Sequence, residues 1–295
     1  MKCPEPGVHR DVIAEEYHSW EAVSNSRLSL LKRSPLHYQH GYTAPTAQMA
    51  LGSLVHSGVL EPLSIAKRYV FMPNYASHPD NVSKTGVRSF SASTDFVKKM
   101  QEQFQSLNFD KEIVTEEQYN TMIGMASALQ ANFAARDLLR DGEAEVSLVW
   151  DDPDTGLRCK CRIDWLKAKS GIFVDLKTTA DASDFERSIV KWGYHRQTAF
   201  YQRGLLRAAG IEAVPWVVAA ETKAPFGCRS AAMDPEALKL GSYEVDELLA
   251  KVVECQTVGE WPGYENPGSW TVPDWYTRQN EPEVELLIGG EALSI

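Results

Sequence analysis

LRCKCRIDWLKAKSGIFVDLK, residues 157–177, is the stretch of sequence that decides the fold. Apolar and polar residues alternate over 157–166 and again over 172–177, which is the period of a β-strand. The short Lys/Ser/Gly link between the two runs predicts that they form an antiparallel hairpin. One face of the first strand is then formed by Leu157, Cys159, Cys161, Ile163 and Trp165, and the opposite face by Arg158, Lys160, Arg162 and Asp164.

The segments on either side extend this hairpin into a sheet. Residues 143–150 are strand-like, and a turn-rich connection over 151–156 joins them to the hairpin, so three strands form an antiparallel meander. A long helix is predicted over 184–209, ended by Gly210, and an apolar strand follows over 214–222. Because a strand that is reached through a helix returns by a crossover, it can pair in parallel. The predicted fold class is α/β, with a mixed β-sheet flanked by helices.

The N-terminal third of the sequence is typical of a helical region that follows an irregular lead-in over 1–20. A Ser/Asn cluster before Leu28 is an N-cap signal, and Thr115 to Gln118 resembles a capping box. Helices are predicted from Leu28 to about Ser34, and over 47–61, 94–107 and 115–140, with an exposed loop over 73–93. We expect one compact domain made of an N-terminal helical region (1–110), a core (111–255) and an irregular C-terminal strap (256–295).

Composition and charge narrow the class of protein. The chain has 295 residues, and 40 Asp and Glu against 30 Lys and Arg give a net charge of −10. This balance argues against a protein that coats nucleic acid, but it leaves room for a local basic groove. Without a bilayer-length apolar run or a signal core, a cytoplasmic protein with no membrane partner is expected. Five scattered cysteines favour neither a disulfide framework nor a four-cysteine zinc or iron–sulfur site.

Three polar residues on the hairpin carry the chemistry that the sequence indicates. Asp175 and Lys177 are two residues apart on one strand and share a face, and the hairpin brings Asp164 close to Asp175. Two neighbouring carboxylates repel each other, and a divalent cation such as Mg²⁺ or Mn²⁺ resolves the conflict. Lys177 can orient a water, help to deprotonate it, or stabilise a phosphorane-like transition state. The group fits phosphodiester hydrolysis; the alternative is a solvated surface salt bridge.

The helix that follows supplies a second set of candidates. Gln197 and Tyr201 are four residues apart and share a face. The same segment carries Arg187, Lys191, Arg196, Arg203 and Arg207 against only Asp184 and Glu186. A basic helix beside an acidic metal site is a reasonable cradle for a phosphate backbone, although a solvated helix face has the same composition.

The ordered set of these segments resembles the PD-(D/E)xK nuclease superfamily, and within it the RecE-type (exonuclease VIII) recombination exonucleases of phages and prophages. The core of the resemblance is Arg162-Ile163-Asp164, then Val174-Asp175-Leu176-Lys177-Thr178-Thr179, then Gly193-Tyr194 followed by Gln197 and Tyr201. Further matching segments lie at 23–35, 52–56 and 221–225, so that the resemblance spans roughly residues 20–275. The sequence departs from the commoner pattern in having Asp175 in place of Glu, and it lacks the four cysteines of the iron–sulfur branch.

The resemblance implies roles for individual residues. Asp164, Asp175 and the main-chain carbonyl of Leu176 would bind the metal, and Lys177 would be the motif lysine. His56 would match an upstream histidine ligand, although a histidine capped by a backbone group is the alternative. Glu145 would match an upstream acid that is either a second-metal ligand or an ordinary strand-start residue. Gln197 and Tyr201 would position active-site groups and DNA. Candidate DNA-binding residues are Arg27, Arg162, Lys191, Arg196 and Arg203; Arg27 lies at a helix start that could hold a 5′-phosphate or simply be an ordinary N-terminus.

The resemblance also implies an activity and partners. It implies a Mg²⁺-dependent 5′-to-3′ exonuclease on double-stranded DNA ends, with Mn²⁺ able to substitute, that leaves 3′ single-stranded overhangs for annealing recombination. The expected partner is a RecT-like single-strand annealing protein in a bacterial or phage-infected cell. A ring-shaped homo-oligomer with a basic channel would reconcile DNA binding with the acidic composition. Two alternatives stay open: another PD-(D/E)xK nuclease, endonucleolytic or end-processing, and a non-catalytic DNA-binding subunit on the same core.

Overall fold

The structure, a computed structural model, describes residues 2–41, 46–264, 271–272 and 276, and the backbone of 285–288 and 291–294. Its strands are β1 (Gly7–His9), β2 (Tyr69–Phe71), β3 (Glu112–Val114), β4 (Glu143–Asp151), β5 (Arg158–Lys167), β6 (Ile172–Thr179), β7 (Val214–Glu221), β8 (Cys228–Ala232), β9 (Glu285–Ile288) and β10 (Glu291–Ser294). Its helices are α1 (Ala14–Ser19), α2 (Asn25–Arg33), α3 (Pro35–His40), α4 (Ala47–Leu60), α5 (Ile65–Arg68), α6 (Asp95–Leu107), α7 (Glu116–Ala131), α8 (Phe133–Leu138), α9 (Phe185–Trp192), α10 (Tyr194–Ala209) and α11 (Pro235–Val258).

A six-stranded mixed sheet forms the centre of the fold, in the order β1-β4-β5-β6-β7-β8. Strands β4, β5 and β6 make the predicted antiparallel meander. The crossover through α9 and α10 returns the chain to β7, which pairs in parallel with β6 over eight residue pairs, from Ile172 opposite Val214 to Thr179 opposite Glu221. The α/β fold class with a mixed sheet is confirmed.

Helices cover both faces of this sheet. On one face α2, α10 and α11 pack against β4 and β5, and Leu28, Phe200 and Trp150 are fully buried there. On the other face α4, α7 and α8 pack against β6 and β7, around Val55, Met125 and other buried residues. Each fully buried large apolar side chain contributes about 1.5–3 kcal/mol relative to exposure. The two faces together hold the sheet, and with it the polar residues of the hairpin, in a fixed place.

Two predicted long helices are broken in the structure. The prediction of one helix over 184–209 is wrong, because Gly193 adopts φ 68° and separates α9 from α10. This left-handed conformation is easy only for a residue without a Cβ atom. The segment 115–140 is likewise two helices, since the Asn132 side chain accepts a hydrogen bond from Ala135 N and starts α8. The capping box of Thr115 and Gln118 is confirmed.

The chain ends also differ from the expectation. Residues 2–20 are not wholly irregular, because they contain the strand β1, which pairs with β4, and the helix α1. The predicted C-terminal strap over 256–295 falls largely outside the described residues; α11 continues to Val258, and β9 pairs with β10. No single helix in the described ranges is long and apolar enough to cross a membrane, and α4 together with Pro62–Arg68 reaches that length only across a bend of 114°.

The strict alternation predicted for β5 fails at Asp164. Ile163 packs into the core on the α10 side of the sheet, whereas Trp165 packs with the residues on the α4 side. Opposite this point Glu145 adopts φ 54°, a conformation that costs a non-glycine residue about 1 kcal/mol or more. The β5–β6 ladder also stops here, its last pair being Trp165 opposite Val174. The sheet therefore opens beside Asp164 and leaves a gap between two strands.

Candidate metal centre

Asp164 fills the gap between β5 and β6. Continued by one residue, the ladder would place Asp164 opposite Asp175. Instead the Asp164 carboxylate accepts a hydrogen bond from Leu176 N, with Oδ2 2.8 Å from the nitrogen. A side-chain oxygen thus satisfies a backbone N–H that the neighbouring strand no longer pairs. This bond fixes the carboxylate at the point where the strands separate.

Three side chains from three elements meet at Asp164 and could hold a metal ion. His56 on α4, Glu145 on β4 and Asp164 offer ligand atoms that all lie within 4.8 Å of one another. The His56 Nδ1 atom is 3.7 Å from Asp164 Oδ2, and its Nε2 atom is 2.8 Å from the Leu176 carbonyl oxygen. The structure therefore brings together His56, Asp164 and the Leu176 carbonyl, as expected, and adds Glu145 as a full member of the group.

The position of Glu145 follows from the register of the hairpin. The pairs Ala144 opposite Trp165 and Val146 opposite Ile163 bracket Glu145, which places it opposite Asp164. The sequence signal for this position was the length of the connection between the two strands, which fixes their register. Because of this register, Glu145 lies next to the candidate ligands and is not merely an acid at the start of a strand.

The electrostatics of this group favour a bound cation. Burial, and next the charge of Asp175, raise the pKa of Asp164 to about 7. Burial and the charge of Asp164 likewise raise the pKa of Glu145. Burial and the positive charge of Lys177 lower the pKa of His56, so the imidazole is held in the neutral form that metals bind. Crowded carboxyls that resist ionisation are stabilised as carboxylates by a cation between them.

The donor set fits a hard divalent cation. Carboxylate and carbonyl oxygens suit Mg²⁺, and an imidazole nitrogen in the same set suits Mn²⁺ as well. If Nε2 of neutral His56 donates to the Leu176 carbonyl, Nδ1 points its lone pair at Asp164 Oδ2. These two electron-rich atoms lie 3.7 Å apart and repel each other, and a cation bound between them would remove that repulsion. His56, Glu145, Asp164 and the Leu176 carbonyl are thus the residues that could hold the ion.

Asp175 lies beside this group but is engaged elsewhere. It is 1% exposed, and its Oδ2 atom is 2.6 Å from Lys177 Nζ. Gln197 Nε2 lies 3.0 Å from Asp175 Oδ1 and 3.1 Å from the Tyr201 hydroxyl. Burial alone would lower the pKa of Lys177, but Asp175 and Asp164 outweigh it and raise that pKa. The predicted residues Asp175, Lys177, Gln197 and Tyr201 therefore form one connected chain, while the role of Asp175 as a metal ligand stays a prediction.

Tyr194 is a site neighbour to which the sequence assigned no role. Its ring centre lies 5.0 Å from Lys177 Nζ, within the range of a cation–π contact. Phe185 stacks on the ring at 5.7 Å. The break at Gly193 starts α10 at Tyr194 and places its ring there. The signal in the sequence was the Gly-Tyr pair itself, whose glycine permits the turn.

The predicted DNA-binding residues separate into two groups. The prediction that Arg196 contacts DNA is wrong, because the side chain is buried and bonds to Glu244, Asn25 and Ser29. Arg203 is half-buried and is paired with two carboxylates of this chain, Asp152 at 3.5 Å and Asp246 at 2.6 Å. These two residues, with Arg187 paired to Asp184 at 2.9 Å, leave the helix pair far less basic than its sequence indicates.

The other three basic candidates differ in their surroundings. Arg162 is 2.5 Å from Glu145, so it contacts the candidate metal centre itself. Arg27 lies over the Tyr38 ring at 4.4 Å and donates to the Tyr38 carbonyl. Lys191 is exposed at the end of α9, beside Trp192. Their contacts with DNA stay predictions.

Comparison with known proteins bears on the fold. A solved structure from Eubacterium rectale, of a protein named provisionally as an exonuclease, matches with a TM-score of 0.58 over 92% of this chain and 99% of that one, at 13% identity. Two further solved structures match with a TM-score of 0.25 each and are too distant to support an argument. LHK-Exo in complex with dAMP has 15% identity over 56% of this chain and 83% of that one. SSO0001 has 14% identity over 67% of this chain and 86% of that one. No curated protein sequence matches.

The likeness to the Eubacterium rectale structure extends over nearly the whole of both chains and shows a shared fold. The family of the PDDEXK-like domain of unknown function (DUF3799) matches residues 26–268, a range that contains every candidate site residue described above. The match covers most of the 295 residues. The chain therefore belongs to this PDDEXK-like family and has the fold that the resemblance implies.

Proposed function

We propose that this protein is a metal-dependent exonuclease that degrades double-stranded DNA from 5′ to 3′ and leaves 3′ single-stranded overhangs. One observation carries the nuclease part of the proposal: the group of His56, Glu145 and Asp164 lies beside the paired Asp175 and Lys177, at an opening in the sheet. A cation site next to a positively charged side chain suits phosphodiester hydrolysis, because both stabilise the negative charge of the transition state.

The residues of the chain have distinct tasks in this reaction. A bound Mg²⁺ or Mn²⁺ would polarise the scissile phosphate and lower the pKa of a water. Asp164 and Glu145 would supply its anionic ligands, and neutral His56 and the Leu176 carbonyl would complete the set. Asp175 holds Lys177 in place at 2.6 Å, and Gln197 fixes the other oxygen of Asp175. Asp175 keeps Lys177 in its ammonium form. Lys177 would then stabilise the negative charge that develops on the phosphate.

The direction of degradation and the partners rest on the resemblance to RecE-type exonucleases. Water adds to phosphorus, the bond from phosphorus to the 3′ oxygen breaks, and that oxygen takes a proton. The remaining strand then carries a 5′-phosphate, ready for the next cycle. The 3′ overhang would serve a RecT-like single-strand annealing protein in the cytoplasm of a bacterial or phage-infected cell. A ring-shaped homo-oligomer would place the site in a central channel.

Digestion of end-labelled linear duplex in the presence of Mg²⁺ tests the function. We expect loss of label from 5′-labelled strands before 3′-labelled ones, with 5′-phosphate and 5′-hydroxyl ends compared side by side. Covalently closed circular DNA serves as the matched substrate without ends and should persist. Cutting of closed circles would make the protein an endonuclease instead. Binding of DNA ends without any digestion, with either Mg²⁺ or Mn²⁺, would favour the non-catalytic alternative.

Asp164→Asn connects the activity to the site. The substitution keeps the size of the side chain and an oxygen for Leu176 N, but it removes the negative charge that a cation needs. We expect the variant to remain folded and to lose nearly all digestion. Asp181→Asn, on an exposed residue just beyond β6, is the control and should digest DNA at the native rate. Full activity of the Asp164 variant would remove the basis for the assignment.

A further inference from the structure

The residues that precede the matched family region, which begins at residue 26, are fastened to the strands that carry the candidate metal centre. β1 pairs with β4, the strand of Glu145, with Gly7 opposite Val149 and His9 opposite Ser147. Val23 then bridges to Cys159 on β5, the strand of Asp164. The segment between these two attachments contains α1 and Tyr17.

A buried lysine fixes Tyr17 in place. Lys160 is 5% exposed, and its Nζ atom donates to the carbonyl oxygens of Tyr17 and Trp20, each at 2.7 Å. Burial lowers the pKa of Lys160 to about 8, so the ammonium keeps its proton at neutral pH. These bonds hold the end of α1 over β5. A buried cation with two short bonds to carbonyls is a strong local anchor.

The ring of Tyr17 is thereby placed against a pair of site residues. The Tyr17 ring centre lies 4.7 Å from Lys160 Nζ and 5.9 Å from the Arg162 guanidinium carbon. Arg162 in turn is 2.5 Å from Glu145 Oε2. Tyr17 is 8% exposed, whereas the side chains of Arg162 and Glu145 are 15% and 19% exposed. The Tyr17 ring thus lies within cation–π range of the guanidinium of this ion pair.

The ion pair also borders a cleft. Glu145 and Arg162 line a cavity of about 430 Å³, together with Asp11 to Glu15 of the N-terminal segment and residues of the Glu61–Arg68 region. Water in this cleft would allow a long arginine side chain many orientations. A guanidinium held within cation–π range of an aromatic ring loses part of that freedom. The segment therefore restricts Arg162 where the cleft alone would not.

We propose that Tyr17 is a positioning residue, whose ring holds the Arg162 guanidinium so that Arg162 holds the Glu145 carboxylate in the orientation that the metal centre uses. The inference rests on the proposed metal site and deepens it. The segment that contains Tyr17 lies outside the matched family region, and under this proposal it contributes to metal binding. Outer partners of metal ligands affect affinity because they fix the direction in which the ligand points.

The proposal is tested by isothermal titration calorimetry, in which Mn²⁺ is titrated into the metal-stripped full chain and its dissociation constant is measured. This test needs no measurement of nuclease activity. Tyr17→Leu removes the ring face and keeps an apolar side chain, so we expect Mn²⁺ affinity to fall about fivefold. Tyr17→Phe keeps the ring and should bind as the native protein does. Arg162→Gln should weaken Mn²⁺ binding about tenfold. Phe133→Leu, which alters an arginine–aromatic pair on α8, a helix that carries none of the site residues, is the matched control.

The possible outcomes distinguish failure of the Tyr17 proposal from failure of the proposed nuclease function. Native affinity in Tyr17→Leu would overturn it, and so would an equal loss in Tyr17→Phe, because then the ring face is not what matters. If circular dichroism shows that Tyr17→Leu does not fold, Arg162→Gln decides, and unchanged affinity there overturns the proposal. A native chain that binds Mn²⁺ through this arrangement but degrades no DNA would refute the proposed function alone.

Discussion

Glu244 on α11 connects three helices, and replacing it by Gln should destabilise the protein in a pH-dependent way. Its carboxylate accepts from Lys32 Nζ at 2.8 Å, from Arg196 Nη1 at 3.1 Å and from His195 Nε2 at 3.1 Å. Lys32 belongs to α2, and the other two to α10. Gln keeps the shape of the side chain and removes its charge, which leaves the buried Arg196 without its anionic partner.

The magnitude follows from the pKa of the carboxyl. Burial alone would raise the pKa of Glu244, but the hydrogen bonds and charges of Lys32 and His195 outweigh it and lower that pKa from 4.5 to about 2. A tenfold change in proton affinity corresponds to ~1.4 kcal/mol, so the full displacement is worth about 3 kcal/mol. The side chain is 21% exposed, and solvent screening reduces the expected loss to about 2 kcal/mol at pH 7.

The sign of the pH dependence is fixed by the direction of that displacement. Because the pKa is lower in the folded protein, the stabilisation is complete above about pH 4.5 and is lost as the pH falls toward 2. The free energies of unfolding of the native protein and of Glu244→Gln should therefore differ most near pH 7 and approach each other as the pH falls from about 4.5 toward 2. Urea unfolding monitored by tryptophan fluorescence, at several pH values from 7 to 3, measures both curves.

Glu254→Gln is the matched control on the same helix. Glu254 pairs with Lys251 at 3.0 Å, but both side chains are largely exposed, so less than about 0.5 kcal/mol is expected. A Glu244→Gln variant as stable as the control at pH 7 would refute the reasoning. So would a difference that stays constant from pH 7 to pH 3, because it would not arise from the charge of Glu244.

Further predictions concern the site and the core. Lys177→Ala should keep DNA and Mn²⁺ binding and lose about 10²–10³-fold in single-turnover rate, since it removes stabilisation of the transition state; loss of DNA binding at an unchanged rate would contradict this role. Mn²⁺ at about a hundred times its dissociation constant should stabilise the folded protein by ~2.7 kcal/mol, seen as a higher thermal midpoint, and Asp164→Asn should abolish the rise. Gly204→Ala should cost about 1–3 kcal/mol, because a Cβ there would lie 2.7 Å from the fully buried Trp150 ring. Gly52→Ala in α4, where the nearest atom is 3.8 Å away, should instead stabilise by about 0.5–1 kcal/mol; equal thermal midpoints in the two alanine variants would contradict the packing argument.

The sequence allowed the centre of the fold to be predicted because its determinants are local. The alternation over 157–177 and the short link between its two runs specify a hairpin by themselves, and the parallel return of β7 follows from general chain topology. The same locality placed Asp164, Asp175 and Lys177 near one another. Their proximity in the structure agrees with that expectation.

The parts that could not be predicted depend on distant partners. The burial of Arg196 depends on Glu244, which lies 48 residues further along the chain, and a basic helix in isolation gives no sign of it. The change of face at Trp165 depends on the opening of the β5–β6 ladder and on the conformation of Glu145 on the neighbouring strand. The break at Gly193 was missed because helical periodicity continues on both sides of the glycine.

The small strand β1 has a practical consequence for the choice of expression boundaries. A chain shortened to residue 26, where the family match begins, would lack β1 and would leave Ser147, Leu148 and Val149 of β4 without their strand partner at the edge of the sheet. An exposed edge strand can pair with another chain through its free N–H and C=O groups. We therefore expect the truncated protein to self-associate and to elute earlier in size-exclusion chromatography than its monomer mass predicts. Affinity tags and crystallisation fragments are best designed to keep the first twenty-five residues intact.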